Sequence, residues 1–205
     1  MKNRNEKIIK EVSVMKKGKY LRGDQKKSDL RFFVSLITSL VLFLVVFQPV
    51  KVQGSSMETT LIDGDLLLME RSWLVEHYNP GDIVIAAKPD YKDGESIVKR
   101  IIAVEGQVVD INDETGTLYV DGVELTEPYI SSVTYKKGDM AFPCVVADDC
   151  YFVLGDNRDE SLDSRYTLIG QIHISEIQGK VICLVVPGTN DGEFAFEMDR
   201  IGSIK

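Results

Sequence analysis

Residues 96–125 read SIVKRIIAVEGQVVDINDETGTLYVDGVEL, a series of β-favouring runs cut by polar turns. Ser96–Val104, Val108–Ile111, Thr117–Val120 and Val123–Leu125 are rich in Val, Ile, Leu and Tyr and are bounded by Gly, Asn and Asp, the pattern of short strands. The last break is Asp121-Gly122, residues that accept the positive φ a tight two-residue hairpin needs. Working outward, similar runs occur at Asp65–Met69 and Asp82–Ala86 upstream, and at Tyr151–Leu154, Gln171–Ile174 and Lys180–Val186 downstream. No helical pattern alternates with them, so the expectation is a mainly β domain of antiparallel sheets in a sandwich or barrel-like arrangement. A chain of 205 residues has room for one such domain with a real core and a short appendage, not for a second large domain.

The appendage lies at the N-terminus. Phe32–Val50, FFVSLITSLVLFLVVFQPV, holds no charged residue. As a helix, its most apolar part, Phe32–Phe47, would be about 24 Å long at ~1.5 Å per residue, slightly short of a ~30 Å hydrocarbon core, and Arg31 and Lys51 can snorkel to cover the difference. The reading is a single transmembrane anchor over residues 32–50. A cleavable signal sequence competes, but Gln48-Pro49-Val50-Lys51 offers no small-x-small cleavage site. Residues 1–31 carry a net charge of +7 and the remainder −15. A basic tail before an apolar span predicts a cytoplasmic N-terminus, with residues 51–205 as an extracytoplasmic domain. Attraction to anionic membrane lipid is the tail's expected role; an acidic body repels phosphate, so nucleic acid is not an expected partner.

Cys144 and Cys150 fall in the expected external part, where a disulfide can persist. A bridge and two free thiols both remain open, because spacing does not fix geometry. Cys183, in the run VICLVVP, reads as a core residue.

Three segments carry candidate chemistry. Residues 52–65 read VQGSSMETTLIDGD and begin close behind the apolar run. In residues 96–106, SIVKRIIAVEG, strand alternation puts Ile97, Lys99 and Ile101 on one face and Val98 and Arg100 on the other. Lys99 thus sits on an apolar face, where desolvation lowers an ammonium pKa and makes a neutral amine available; a snorkelling lysine on an edge strand is the ordinary alternative. Arg100 reads as a surface or structural cation. Residues 151–165 read YFVLGDNRDESLDSR, too specific an order of Gly, Asp, Asn, Arg and Ser for a generic loop. Its oxygen spacing does not fit a calcium loop, and neither His77 nor His173 falls in a motif, so no metal or cofactor is expected.

In this order the three segments resemble those of the bacterial type I signal peptidases, whose last signature is GDNRDxSxDSR, and the resemblance covers most of residues 30–170. It implies a membrane-bound serine endopeptidase with a Ser/Lys dyad that removes signal peptides from exported preproteins at small-x-small sites. Ser56 would be the nucleophile and Lys99 the general base. By the same resemblance, Ser161 would hydrogen-bond the Lys99 amine, Asp163 and Arg165 would form a bracing ion pair, and Gly155, Asp156 and Asn157 would build the adjoining turn. The Ser56 backbone N–H is the expected oxyanion donor, with Ser55 a candidate second donor. Val52, Met57, Leu61 and Val98 are candidates to line shallow apolar substrate pockets. Placement of Ser56 nine residues after Phe47 suggests cleavage at the membrane surface. The chain departs from the family pattern at Thr59, usually proline, at Ile101–Gln107 after the lysine strand, and at Gly54, which has no hydroxyl. Two rivals follow: a non-catalytic or substrate-dedicated relative assisting assembly of surface structures such as pili, and a self-cleaving Ser/Lys regulator. The regulator has no transmembrane anchor, and the pair Ser56 and Lys99 argues against loss of the dyad.

Overall fold

The computed structural model describes residues 27–89, 91, 94–188 and 198–204. The chain divides into two units, Met1–Val45 and Val46–Lys205. The described part of the first is one helix, α1 (Lys27–Val46), apolar and long enough to cross a membrane. At 20 residues it spans about 30 Å. Its side chains from 27 to 45 are all exposed. Thr38 Oγ1 donates to the Val34 carbonyl at 2.8 Å, which satisfies a hydroxyl that lipid could not.

The expected span ran to Val50, but the helix stops at Val46 and the chain continues as a strand. Pro49 explains the change: it has no N–H to donate and it pushes the preceding Gln48 out of the helical region. At a sheet edge a proline is tolerated, and this strand is an edge.

The second unit is built from β1 (Phe47–Lys51), β2 (Leu66–Arg71), β3 (Ile83–Ala87), β4 (Ser96–Val104), β5 (Val108–Ile111), β6 (Leu118–Val120), β7 (Val123–Glu124), β8 (Cys144–Val145), β9 (Cys150–Leu154), β10 (Ile172–His173), β11 (Ile177–Val186) and β12 (Gly202–Ser203). One sheet has the order β1-β2-β11-β3-β4-β9-β10, with β12 also pairing β11; the other runs β7-β6-β5-β8. All pairings are antiparallel. Asp121 and Gly122 take φ of 53° and 77° at the β6–β7 turn, as the tight-hairpin signal requires.

Three apolar clusters hold the sheets. Val52, Met57, Leu61, Leu67, Met69, Ile83, Ile85, Val181 and Leu184 form one. Val84, Ile97, Ile101, Val153, Ile169 and Ile172 are in the second, and Ile102, Val109, Ile111, Leu118, Phe152 and Leu154 in the third. Strand β4 lies in the interior of its sheet, paired to β3 and β9. It contributes to the second cluster through Ile97 and Ile101, to the third through Ile102, and packs Val98 against the first. Lys99 and Arg100 are therefore both buried; Lys99 is no snorkelling edge residue and Arg100 no surface cation. Cys144 and Cys150 are free thiols, and Cys183 is only half-buried.

Candidate active site

Segment 52–65 folds as a series of turns over the first cluster. The Val52 N–H donates to the Asp65 carbonyl at 2.8 Å and the Gly64 N–H to the Val52 carbonyl at 3.0 Å, closing the loop at its base. Met57 and Leu61 point down into the core. The Glu58, Thr60 and Leu61 amides donate back to the carbonyls of Ser55, Met57 and Met57, so the chain turns sharply just after Ser56. Gly54, at φ 87°, takes a conformation closed to most side chains, and its amide donates to Asp63 Oδ1 at 2.7 Å.

This turn brings the Ser56 hydroxyl onto β4, where Lys99 Nζ lies 2.6 Å from Ser56 Oγ. Lys99 is 4% exposed. Burial pulls its pKa down from 10.5 to about 8; Asp163 opposes that, Arg165 reinforces it, and Asp156 opposes it. An appreciable fraction of the amine is thus neutral and can accept a proton near physiological pH. Among the described residues the Ser56 N–H donates to no acceptor, leaving it free to bind a developing oxyanion.

Segment 155–165 packs against the same turn. The Asn157 N–H donates to the Ser56 carbonyl and Asn157 Nδ2 to the Ser55 carbonyl, each at 3.1 Å. Asp156 takes a bidentate bond from Arg100, 2.9 and 2.7 Å, and a 2.5 Å bond from Thr60 Oγ1. Asp163 pairs with Arg165 at 2.8 and 2.9 Å and accepts from the Gly155 N–H at 3.1 Å. The Arg165 guanidinium also reaches the carbonyls of Lys136, Arg158 and Ser161. Gly155 has no room for a side chain: a Cβ there would lie 2.2 Å from Ser161 Oγ and 2.4 Å from the Ser56 carbonyl oxygen.

Two expectations need correction. Ser161 was expected to bond the Lys99 amine, but Lys99 Nζ bonds Ser56, and Ser161 Oγ is buried without a hydrogen-bond partner among the described residues. It packs on Gly155 instead. Leu61 was expected to line a substrate pocket but is fully buried beneath the turn, because the Met57–Leu61 hydrogen bond carries it to the inner side.

A groove of about 530 Å³ runs past Ser56 and Lys99. Val52, Met57 and Val98 border it, joined by Ile85, Ile97 and Leu162, with Lys51, Glu95 and Glu160 also on its walls. Ile85 and Ile97 lie on β3 and β4 and were missed because strand alternation alone does not say which side chains border the groove. The sequence reading also gave no role to Arg158. Its Nε donates to the Gly155 carbonyl at 3.1 Å, and its head pairs with Glu127 and Thr134. Arg158 sits inside the GDNRD signature, so a signal was present; for Glu127, 31 residues away, there was none.

A serine hydroxyl against a buried lysine amine, on an antiparallel β framework, can act chemically as nucleophile and base, as a serine hydrolase requires. Comparison with known proteins narrows the class. The family described as "Signal peptidase, peptidase S26" matches residues 26–186. Signal peptidase I of Bacillus licheniformis is 36% identical over 159 residues, covering 69% of this chain and 81% of that protein. Signal peptidase I P of Bacillus subtilis subsp. natto is 32% identical over 179 residues, 81% of this chain and 93% of that one. Among solved structures, a signal peptidase I from Enterococcus faecalis V583 is 28% identical, with a TM-score of 0.41 over 52% of this chain and 97% of its own. The chain belongs to the type I signal peptidases of the S26 family: a serine endopeptidase, anchored by its N-terminal apolar helix, that cleaves signal peptides from secreted preproteins.

Proposed function

We propose that Ser56 and Lys99 are the catalytic dyad and that cleavage follows small-x-small sequences at the outer face of the membrane. The observation that carries the dyad is the 2.6 Å contact between Ser56 Oγ and the Nζ of a buried, low-pKa lysine. Lys99 takes the Ser56 proton as Oγ attacks the scissile carbonyl; the Ser56 N–H receives the oxyanion; Lys99 returns the proton to the departing amine; and water, deprotonated by the same amine, hydrolyses the acyl-enzyme. Asn157 holds the turn, and the Asp163–Arg165 pair braces it. The contact also argues against a non-catalytic relative.

The specificity argument is steric. Val52, Met57, Ile85, Ile97 and Val98 border the groove next to Ser56 with apolar side chains, and most are themselves buried. Shallow apolar subsites favour alanine-sized residues one and three before the cut. The +7 charge of residues 1–31 supports a cytoplasmic N-terminus and an extracytoplasmic Val46–Lys205 unit.

The test is cleavage of a preprotein with an Ala-x-Ala site by the full chain in detergent, read by mass spectrometry. Cleavage after the second alanine should vanish in Ser56→Ala and in Lys99→Ala. Full activity in Lys99→Ala would sink the dyad. For topology, an N-terminal tag on intact cells should resist external protease while the β unit is digested; the reverse refutes the orientation.

A further inference from the structure

The segment Glu127-Pro128-Tyr129 lies outside all three motifs, yet it touches each of them. Tyr129 receives at its carbonyl the Thr59 hydroxyl, 3.0 Å away, in the turn that follows the nucleophile. Its ring lies 4.0 Å from the guanidinium carbon of Arg100, the neighbour of Lys99 on β4. Glu127 accepts from both Nη atoms of Arg158 in the 155–165 loop, and Tyr129 Oη donates to Glu127 Oε1 at 3.1 Å. Pro128 between them fixes its own φ and holds Glu127 extended, so the two grips keep a constant spacing.

We propose that Glu127-Pro128-Tyr129 is a positioning clasp that sets the approach of Ser56 to Lys99, with Tyr129 its working residue. The argument rests on the dyad reading above and turns on how Arg100 is held. Its edge is committed: Nε and Nη2 to Asp156, Nη1 to the Gly81 carbonyl at 3.0 Å. Hydrogen bonds along an edge leave the plane able to rock about the Asp156 carboxylate. An aromatic ring stacked on the face stops that motion, and so fixes Asp156 and, through Thr60, the far end of the nucleophile turn. The Thr59 bond pins the same turn directly. Tyr129 acts through Arg100 and Thr59 and does not line the substrate groove, so its loss should change the chemical step rather than substrate binding.

It should also change titration. Asp156 is one of the charges that raise the Lys99 pKa, and the clasped Arg100 is the cation paired with it. An Arg100 that rocks away uncovers the carboxylate, so Lys99 holds its proton to higher pH.

The experiment compares full-length Tyr129→Leu, Tyr129→Phe, Thr59→Val and Thr59→Ser with wild type and with Ser56→Ala, in detergent, on an Ala-x-Ala preprotein. The measurements are kcat, KM, the acid limb of the pH profile and the thermal midpoint. Tyr129→Leu is expected to lower kcat about tenfold to a hundredfold, the scale of small misplacements of reacting groups, with KM within about twofold and the acid limb moved up in pH. Thr59→Val should fall in the same direction but less. Tyr129→Phe keeps the ring and Thr59→Ser keeps the donor, so each recovers most of kcat. The proposal is overturned if Tyr129→Leu matches wild type in kcat and acid limb, or if it loses activity only in proportion to its folded fraction with an unmoved pH profile. Cleavage retained by Ser56→Ala would instead overturn the dyad reading beneath it.

Discussion

Lys99→Met should make the protein more stable at neutral pH while abolishing cleavage. Burial holds the Lys99 pKa at about 8 against an ordinary 10.5, a difference of about 3 kcal/mol between the charged and neutral forms. The sign follows from proton counting. Between about pH 8 and 10.5 the unfolded chain keeps a proton that the folded chain has released, so wild-type stability rises with pH across that window. Below it, the folded protein carries the full cost of a buried ammonium. Methionine has nearly the same length and no charge, so it escapes that cost but gives up the bond to Ser56 Oγ, about 1 kcal/mol. The net gain is about 2 kcal/mol at pH 7, or about 4–8 °C in thermal midpoint for a domain of this size. Other groups titrate alike in both proteins and cancel in the difference. Thermal unfolding of both full-length chains in one detergent, at pH 7, 9 and 11, provides the assay. The advantage should shrink through the window and disappear by pH 11. A variant less stable at pH 7, or a gap that is constant with pH, would refute the claim that Lys99 is held against its desolvation cost.

Three further outcomes follow from the same geometry. Wild-type kcat/KM should fall about tenfold per pH unit below about pH 8, as the Lys99 amine is protonated; a flat profile from pH 6 to 9 would remove lysine as the base. Gly155→Ala should cut kcat more than a hundredfold, since its Cβ would collide with Ser161 Oγ and the Ser56 carbonyl, and single-turnover kinetics would show the loss in acylation. Leu61→Ala should cost about 2–5 kcal/mol in thermal or urea unfolding by opening a cavity beneath the turn, with KM unchanged at temperatures where it stays folded, because Leu61 does not border the groove.

How far these features could be read in advance depends on the range of the forces behind them. Strands β4 and β5 begin and end where the runs Ser96–Val104 and Val108–Ile111 do, because turn residues bound them locally. Strand β1 was hidden inside an apolar run: a single proline, Pro49, marks the change from helix to edge strand. The two-residue strands β8 and β12 carry no periodicity to detect, and only their partners β5 and β11 define them. At the site, Lys99 announced itself as a charge in an apolar strand, and Arg100 beside it carried the same signal. Both need compensation when buried, but the compensating groups, Asp156 at 56 residues' remove for Arg100 and Ser56 at 43 for Lys99, come from tertiary folding. Glu127 and Tyr129 sit in an ordinary polar stretch, and nothing local distinguishes them.

The buried charges around the proposed dyad bear directly on whether Lys99 can serve as its base. Arg100, Arg158 and Arg165 are each about 1% exposed or less, and each faces a carboxylate: Asp156, Glu127 and Asp163. Replacing such pairs with apolar groups is often neutral or stabilising, so their retention beside the site is better explained by what they do to Lys99. A lone carboxylate near the amine would raise its pKa and lock it as ammonium, and a lone arginine would expel its proton but repel a cationic intermediate. In pairs, Asp163 raises the Lys99 pKa and Arg165 lowers it, and burial is the first cause of the shift. The frame is thus polar enough to fix the Ser56 turn through Asn157 and Asp156, while its charges act on Lys99 in both directions. Asp163→Asn separates the two functions. It leaves the Arg165 charge buried without its partner, at a cost of about 3–5 kcal/mol, and it removes the largest of the charges that raise the Lys99 pKa. The fraction that folds should therefore show a lower acid limb in its pH profile despite a lower thermal midpoint. If the acid limb instead stays put or rises, the arginine–carboxylate frame does not tune the base.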